Sequence, residues 1–354
     1  MTRAELECEL PLYPFRFKPI YKNYIWGGHK LANLFGRKNI TTDTVAESWE
    51  VADHEHGESI VTNGPLRGNS LEMLLQRYPE TLLGDEYLRR GKPKRFPLMF
   101  KHLDAMQNLS VQVHPNNAVC CELGIDEPEK VEAWVILDAN VNSHYYAGFK
   151  KHCTPEQVQT AVQNGTITEL LNPILANKGD CVLIKPGVVH ALGEGVLAAE
   201  VAVTSDTTFR LFDWNRKDAN GNSRELHVAE AIKAIDYNVG IICPQRSSKS
   251  LDANRETLVW CDEFKIDRWT TTSQMFLRND NRCAIWTVVS GSASVIFTAG
   301  RRTAPMSHSG RDADPDGIEP LNRGDTLLIP AMASSIRWVS EGKEPLVMLS
   351  VSLL

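Results

Sequence analysis

The eight cysteines (Cys8, Cys120, Cys121, Cys153, Cys181, Cys243, Cys261 and Cys283) include no C-x-x-C pair and follow no regular spacing. A disulfide framework and a thiolate metal site therefore both lack their usual sequence basis, and any metal must be held by nitrogen and oxygen. Long apolar runs are also missing. No stretch approaches the roughly 18 residues needed to cross a bilayer, and the opening MTRAELECELPLYPF has no apolar segment of the signal-peptide kind. The expected location is the cytoplasm, with no membrane partner. Charge of one sign is not in excess: 38 Lys and Arg stand against 44 Asp and Glu, interspersed, for a net charge of −6. With no basic stripe to track a phosphate backbone, nucleic acid is not an expected partner. A few cations in a cleft can still hold a small anion.

With 354 residues, 42% hydrophobic and free of low-complexity tracts, the chain has enough apolar content for a large core and more than one domain. Short β-branched or apolar runs separated by Gly, Pro, Asn and Asp dominate, which argues for a mainly β protein of the sandwich or barrel kind. Expected strands are 48–52, 109–114, 133–137, 181–185, 197–203 and 208–213, then 284–289, 293–298, 326–330 and 346–352. Helices are few. NSLEMLLQRYPETLL (69–83) has helical periodicity that Pro79 should break in two. Thr154-Pro155-Glu156-Gln157 carries an N-cap threonine, a proline at the first helical position and a glutamine three residues after the cap. A third helix is expected over about 226–235.

One internal comparison organises the chain. GDCVLIKPGVVH (179–190) resembles GDTLLIPAMASS (324–335): each is a Gly-Asp turn, a buried strand and a proline-bearing turn, the first ending in His190 and the second in Ser335. Repeated units imply repeated domains. The expectation is a first domain over 1–245 with helical insertions at about 69–90 and 153–173, and a second over 255–354 without metal ligands. The boundary falls in the polar, turn-rich stretch from Ile241 to Arg255.

The segment LSVQVHPNN (109–117) writes polar residues into an apolar strand. Successive strand residues face opposite ways, so Gln112 and His114 share a face, and that face is either solvated or holds something that satisfies them. Any one histidine alone reads best as a surface or core residue. His29, His54, His56, His102, His144, His152, His227 and His308 are read as structural.

GDCVLIKPGVVH resembles the second motif of the cupin superfamily, with Lys185 where that motif usually has its proline. The series LSVQVHPNN, EKVEAWVI (129–136), GVVHALG (187–193) and SDTTFRLFD (205–213), preceded by YIWGG (24–28) and ESWEVAD (47–53), is similar to type I phosphomannose isomerases in order and spacing. The resemblance covers most of 14–240. It implies two cupin-type (jelly-roll) β-domains with a small α-helical insertion, and aldose–ketose isomerisation of mannose 6-phosphate to fructose 6-phosphate. It also implies one Zn2+ per chain, with His114, Glu132 and His190 as ligands and Gln112 as a fourth ligand or a hydrogen-bonding neighbour.

The chemistry agrees with that assignment. Two imidazoles and a carboxylate are ordinary zinc ligands that leave a coordination position open. Isomerisation through an enediol(ate) needs an electrophile, a proton carrier and an anion holder. Lys130 lies two residues before Glu132 and is read as the base, a charge holder, or a solvated lysine after the acidic DEPE run. Arg210, from S-D-x-x-x-R, can grip a phosphate or enediolate. Asp206 is a proton relay or an orienting group for Arg210. The resemblance also implies Lys101 as a secondary phosphate candidate and Glu200 as a supporting residue of the substrate site, while Trp26 and Trp49 are read as either cleft lining or core. Two other readings stay open: a cupin oxygenase, since two His and a Glu also ligate iron, and a non-catalytic module that binds sugar phosphates. Oligomeric state is not legible.

Overall fold

The structure is a computed structural model. It describes residues 12–37, 40, 44–218, 220–277, 280–297, 317–333 and 336–354. Cys8, Thr298, His308 and Ser335, which the sequence singles out, lie outside them. The chain forms two compact units, one of residues 20–50 and 97–246, the other of 1–19, 51–96 and 247–354.

In the first unit the strands are β1 (Ile20–Lys22), β2 (Glu47–Val51), β3 (Leu98–Ala105), β4 (Val111–Val113), β5 (Glu132–Ala139) and β6 (His144–Phe149), followed by β7 (Leu171–Leu175), β8 (Cys181–Ile184), β9 (His190–Ala191), β10 (Val196–Val203) and β11 (Phe209–Phe212). They make two sheets, a six-stranded one in the order β8-β5-β10-β3-β2-β1 and a five-stranded one in the order β7-β6-β9-β4-β11. The central strands β5 and β10 read EAWVILDA and VLAAEVAV and are buried along nearly their whole length, as expected of strands covered on both faces.

The YIWGG segment owes its glycines to close approach rather than to chemistry. A Cβ at Gly27 would stand 2.6 Å from the Ala46 nitrogen, and one at Gly28 2.3 Å from Asp104 Oδ1. The Asp104 carboxylate in turn accepts the Leu31 N–H at 3.0 Å at the start of helix Lys30–Phe35. ESWEVAD alternates. Ser48 and Glu50 face Arg37 and His102 in a buried cluster, with Glu50 Oε1 2.8 Å from Arg37 Nη2 and 3.2 Å from His102 Nδ1. Glu47 and Trp49 face the opposite way. Helix Pro155–Gln163 carries the expected capping box: Thr154 Oγ1 accepts the Gln157 N–H at 3.3 Å, and Gln157 Oε1 accepts the Thr154 N–H at 2.9 Å.

In the second unit a seven-stranded sheet (Phe15–Arg16, Thr326–Ile329, Ala284–Ser290, Leu346–Leu353, Phe264–Thr271, Arg255–Trp260, Ser248–Lys249) accompanies a four-stranded one (Gln274–Leu277, Ile336–Glu341, Ser292–Phe297, Gly317–Leu321). Pro79 separates helices Leu71–Arg77 and Pro79–Leu83, as its missing N–H requires. The sequence assigns the helical stretch 69–90 to the first domain, whereas its contacts lie with the C-terminal residues. The Ala331 N–H donates to the Leu82 carbonyl at 2.9 Å, Met332 N–H donates to that of Thr81 at 3.2 Å, and Phe15–Arg16 pairs with Leu327 and Leu328. Chain connectivity suggested the first grouping; backbone hydrogen bonding made over long separations produced the second. The described cysteines are free thiols, and no helix among the described residues is long and apolar enough to cross a membrane.

Candidate active site

Register brings the polar residues of the first unit together. On the five-stranded sheet His190 pairs with Gln112, and Gln112 pairs with Arg210 on its other side. Residues directly opposite one another project to the same face, so the three side chains form one row. On the six-stranded sheet a second row runs Trp134, Glu200, Lys101, with Glu132 two residues before Trp134 on the same face.

His114, Glu132 and His190 meet with no measurable exposure. Glu132 Oε2 lies 3.3 Å from His114 Nε2, and Glu132 Oε1 lies 3.3 Å from His190 Nε2. All their ligand atoms fall within 4.8 Å of one another. The other ring nitrogens fix the tautomers. His114 Nδ1 sits 3.0 Å from the Thr207 carbonyl and His190 Nδ1 2.9 Å from that of Val188, so each Nδ1 carries the proton and each Nε2 turns a lone pair inward. Lone pairs then face carboxylate oxygens, and His114 Nε2 and Glu132 Oε1 have no hydrogen-bond partner. Such acceptors buried against acceptors are costly unless a cation stands among them. The donor set, two imidazoles and a carboxylate, suits a divalent ion of the zinc class.

The protonation states agree. Burial pushes His190 down to about 4, leaving the neutral imidazole a metal needs. Burial pushes Glu132 up, but its neighbours, the Lys130 ammonium foremost, outweigh it and hold the carboxyl well below its usual range. The Lys130 ammonium is 2.9 Å from Glu132 Oε2, and the preceding Glu129 exchanges 3.1 Å hydrogen bonds with Asn117 through backbone and side chain. The Gln112 amide end reaches 3.2 Å from His190 Nε2. Turning that carboxamide over puts its oxygen, the atom a metal would use, at the same point.

A family model described as phosphomannose isomerase type I, catalytic domain, matches residues 14–132. Mannose-6-phosphate isomerase ManA of Bacillus subtilis (strain 168) is 33% identical over 324 residues, which cover 90% of this chain and 93% of that protein. The chain belongs to the type I phosphomannose isomerase family. A mannose-6-phosphate isomerase of Streptococcus mutans is 29% identical over 90% of this chain and 92% of its own. The crystal structure of the mannose 6-phosphate isomerase from Bacillus subtilis superposes with a TM-score of 0.82 at 27% identity, covering 96% of this chain and 99% of that one. The cupin-type β architecture is thus that of the isomerase family.

Other expected residues fall at varied distances from the cluster. Lys101 is enclosed by carboxylates, 3.2 Å from Glu200 Oε1 and 3.9 Å from Glu47 Oε2. Burial pushes it down, but Glu200 and Glu47 outweigh that and raise it, so its charge is spent on them. Glu200 also accepts the Trp134 Nε1–H at 3.3 Å, and Trp134 packs edge-on against His190 with ring centroids 5.5 Å apart. Trp26, 3% exposed, belongs to the hydrophobic core instead of the cleft. Asp206 is exposed on the loop before β11. Arg210 is half-buried, with its Nε unpartnered; burial and the neighbouring Arg224 guanidinium push its pKa down. A cation stripped of water beside a like charge is a ready anion holder.

Sequence reasoning passed over two residues. Glu47 accepts the Trp49 Nε1–H at 2.6 Å and faces Lys101; its place two residues before Trp49 on one strand face was the available signal. Tyr24 feels Glu47, Lys101, Asp206 and Arg210 together, its hydroxyl pushed up by burial and then by the two carboxylates. Its signal was membership of YIWGG.

Proposed function

We propose that this chain is a metal-dependent mannose-6-phosphate isomerase interconverting mannose 6-phosphate and fructose 6-phosphate, with one zinc ion held by His114, Glu132 and His190 and by Gln112 through its amide oxygen. The observation that carries the metal is the pair of buried acceptors, His114 Nε2 and Glu132 Oε1, that lack a donor, while Lys130 reaches Glu132 Oε2. When bound, the ion would polarise sugar oxygens as a Lewis acid. The protein supplies the rest. As the free amine Lys130 takes the proton from C2 of the aldose, and as the resulting ammonium it returns that proton at C1; its place beside Glu132 supports this role. Arg210 holds the negative charge of the enediolate or phosphate through its guanidinium. Asp206, on the adjacent loop, orients Arg210 and relays the hydroxyl proton. Glu200 and Glu47 fix Lys101 at the edge of the pocket, and Lys101 meets the sugar hydroxyls. The site lies in the cytoplasm in this reading.

Purified protein stripped with a chelator, then reloaded with zinc or iron, tests this. Fructose 6-phosphate formation should vanish on stripping and return with zinc. Inactivity in both states overturns the isomerase, and oxygen uptake with iron would favour an oxygenase.

A further inference from the structure

The second unit contains a cavity of about 290 Å³ between its two sheets, at the small end of the roughly 300–1,000 Å³ of ligand sites, a size that suits one sugar ring. Its walls follow the register. Strand Ala284–Ser290 pairs Trp286 with Leu327 on one side and with Ser350 on the other, and Ser350 pairs with Asp267. A parallel row runs Ile329, Ala284, Ser352, Lys265.

The repeat that relates 179–190 to 324–335 makes these rows counterparts of the active-site rows. In the first unit Val182 pairs with Trp134, Trp134 with Glu200 and Glu200 with Lys101, while Ile184 pairs with Glu132. An offset of 145 residues carries Val182 to Leu327 and Ile184 to Ile329. Trp134 then corresponds to Trp286, Glu200 to Ser350, Lys101 to Asp267 and Glu132 to Ala284. The metal-binding carboxylate has become a methyl group, and the space it vacates is part of the cavity.

The lining has the composition of a carbohydrate site. Trp269, Trp286 and Trp338 form a chain of ring contacts at 5.7 and 4.9 Å, and the Trp338 indole N–H is buried without a partner. Aromatic faces attract the C–H face of a pyranose. Ser352 and Ser350, whose oxygen accepts the Trp269 Nε1–H, have hydroxyl protons to donate, and Asp267, already accepting from Thr257 and paired with Lys265, offers its remaining lone pairs. Positive charge is largely spent: Lys265 lies 2.7 Å from Asp267, and Arg282 3.1 Å from Glu86. Arg255 donates to Ser250 Oγ and lies over the Trp269 ring. A phosphate would find no waiting pair of cations.

We propose that this cavity binds a neutral hexopyranose without reacting it, a sugar site separate from the metal centre. The full-length protein titrated with methyl α-D-mannopyranoside, which has no aldehyde to isomerise, tests this by calorimetry and by tryptophan fluorescence. Saturable binding is expected, weakened about tenfold or more by Asp267→Asn and by Trp286→Phe, with mannose 6-phosphate turnover unchanged. Asp267→Asn keeps the side-chain volume but breaks the Lys265 pair, so Ser352→Ala, which leaves that pair intact, is the third variant and should also weaken binding, with thermal melting of each variant reporting its fold. Three results would overturn the proposal: no saturable binding, equal binding by wild type and all three variants, or tighter binding of mannose 6-phosphate than of the methyl glycoside at the Asp267-dependent site.

Discussion

Lys130 is where the isomerase reading is most exposed at the level of single residues. Its ammonium contacts Glu132 from outside the metal-ligand set, so Lys130→Ala should remove proton transfer while the ion stays bound. Turnover is expected to fall at least about a hundredfold, with zinc content by atomic absorption unchanged. The buried Glu50, Arg37 and His102 cluster makes a separate prediction about pH. Burial lowers His102 from its ordinary 6.5, so the unfolded chain binds that proton more readily and stability is lost as pH falls below the ordinary value. Glu50 is raised by burial, but Arg37 and His102 outweigh this and hold it below its ordinary 4.5. Its contribution is present above that value and is lost as pH falls through the lower folded one. Both act in one direction: melting temperature should decline from about pH 6.5 downward, and His102→Gln should flatten the upper part of that decline. The buried cluster of His114, Glu132 and His190 was legible through the resemblance of LSVQVHPNN, EKVEAWVI and GVVHALG to the family, with strand alternation adding that Gln112 and His114 share a face. Glu50, His102 and Glu47 were not, since a carboxylate in an apolar strand names no partner until the neighbouring strand is known.

Elements deliver these residues through turns, and the turn after β8 is a tight one. Gly187 has φ +84, and a Cβ there would stand 2.8 Å from Asp236 Cβ; its N–H donates to the His114 carbonyl at 2.8 Å. Gly187→Ala should therefore cost about 1–3 kcal/mol and shift both His114 and His190, read as a lower melting temperature together with lower zinc occupancy. Thr154→Ala is the contrasting case. It removes a capping box remote from the metal and should cost about 1 kcal/mol with zinc occupancy and turnover unchanged. Strands with a strong pattern were readable to within a residue or two, as Val196–Val203 and Phe209–Phe212 are. Short ones such as Ile20–Lys22 and His190–Ala191 exist only through pairing with neighbours and left no periodic trace.

At the scale of the molecule the chain passes between its two units four times, at 19/20, 50/51, 96/97 and 246/247. The last passage lies in the polar stretch that the sequence marks as a boundary. The first three are invisible in composition, because 12–19 and 51–96 become part of the second unit only through partners far along the chain. Phe15 and Arg16 pair with Leu328 and Leu327, and the carbonyls of Thr81 and Leu82 accept from Met332 and Ala331. A chain ending at residue 250 keeps every proposed metal ligand but leaves these groups unpaired and strips the apolar faces of Leu71, Leu74, Leu82 and Leu83, buried in the full chain. Each such side chain returned to water forfeits about 1.5–3 kcal/mol, a large fraction of the 5–15 kcal/mol that holds an ordinary domain together. The 1–250 fragment should therefore aggregate or be cut rapidly by trypsin within 51–96, and show no zinc-dependent activity even though the proposed catalytic residues are all present. A soluble, protease-resistant and active fragment would mean that these segments fold with the first unit once the C-terminal strands are gone.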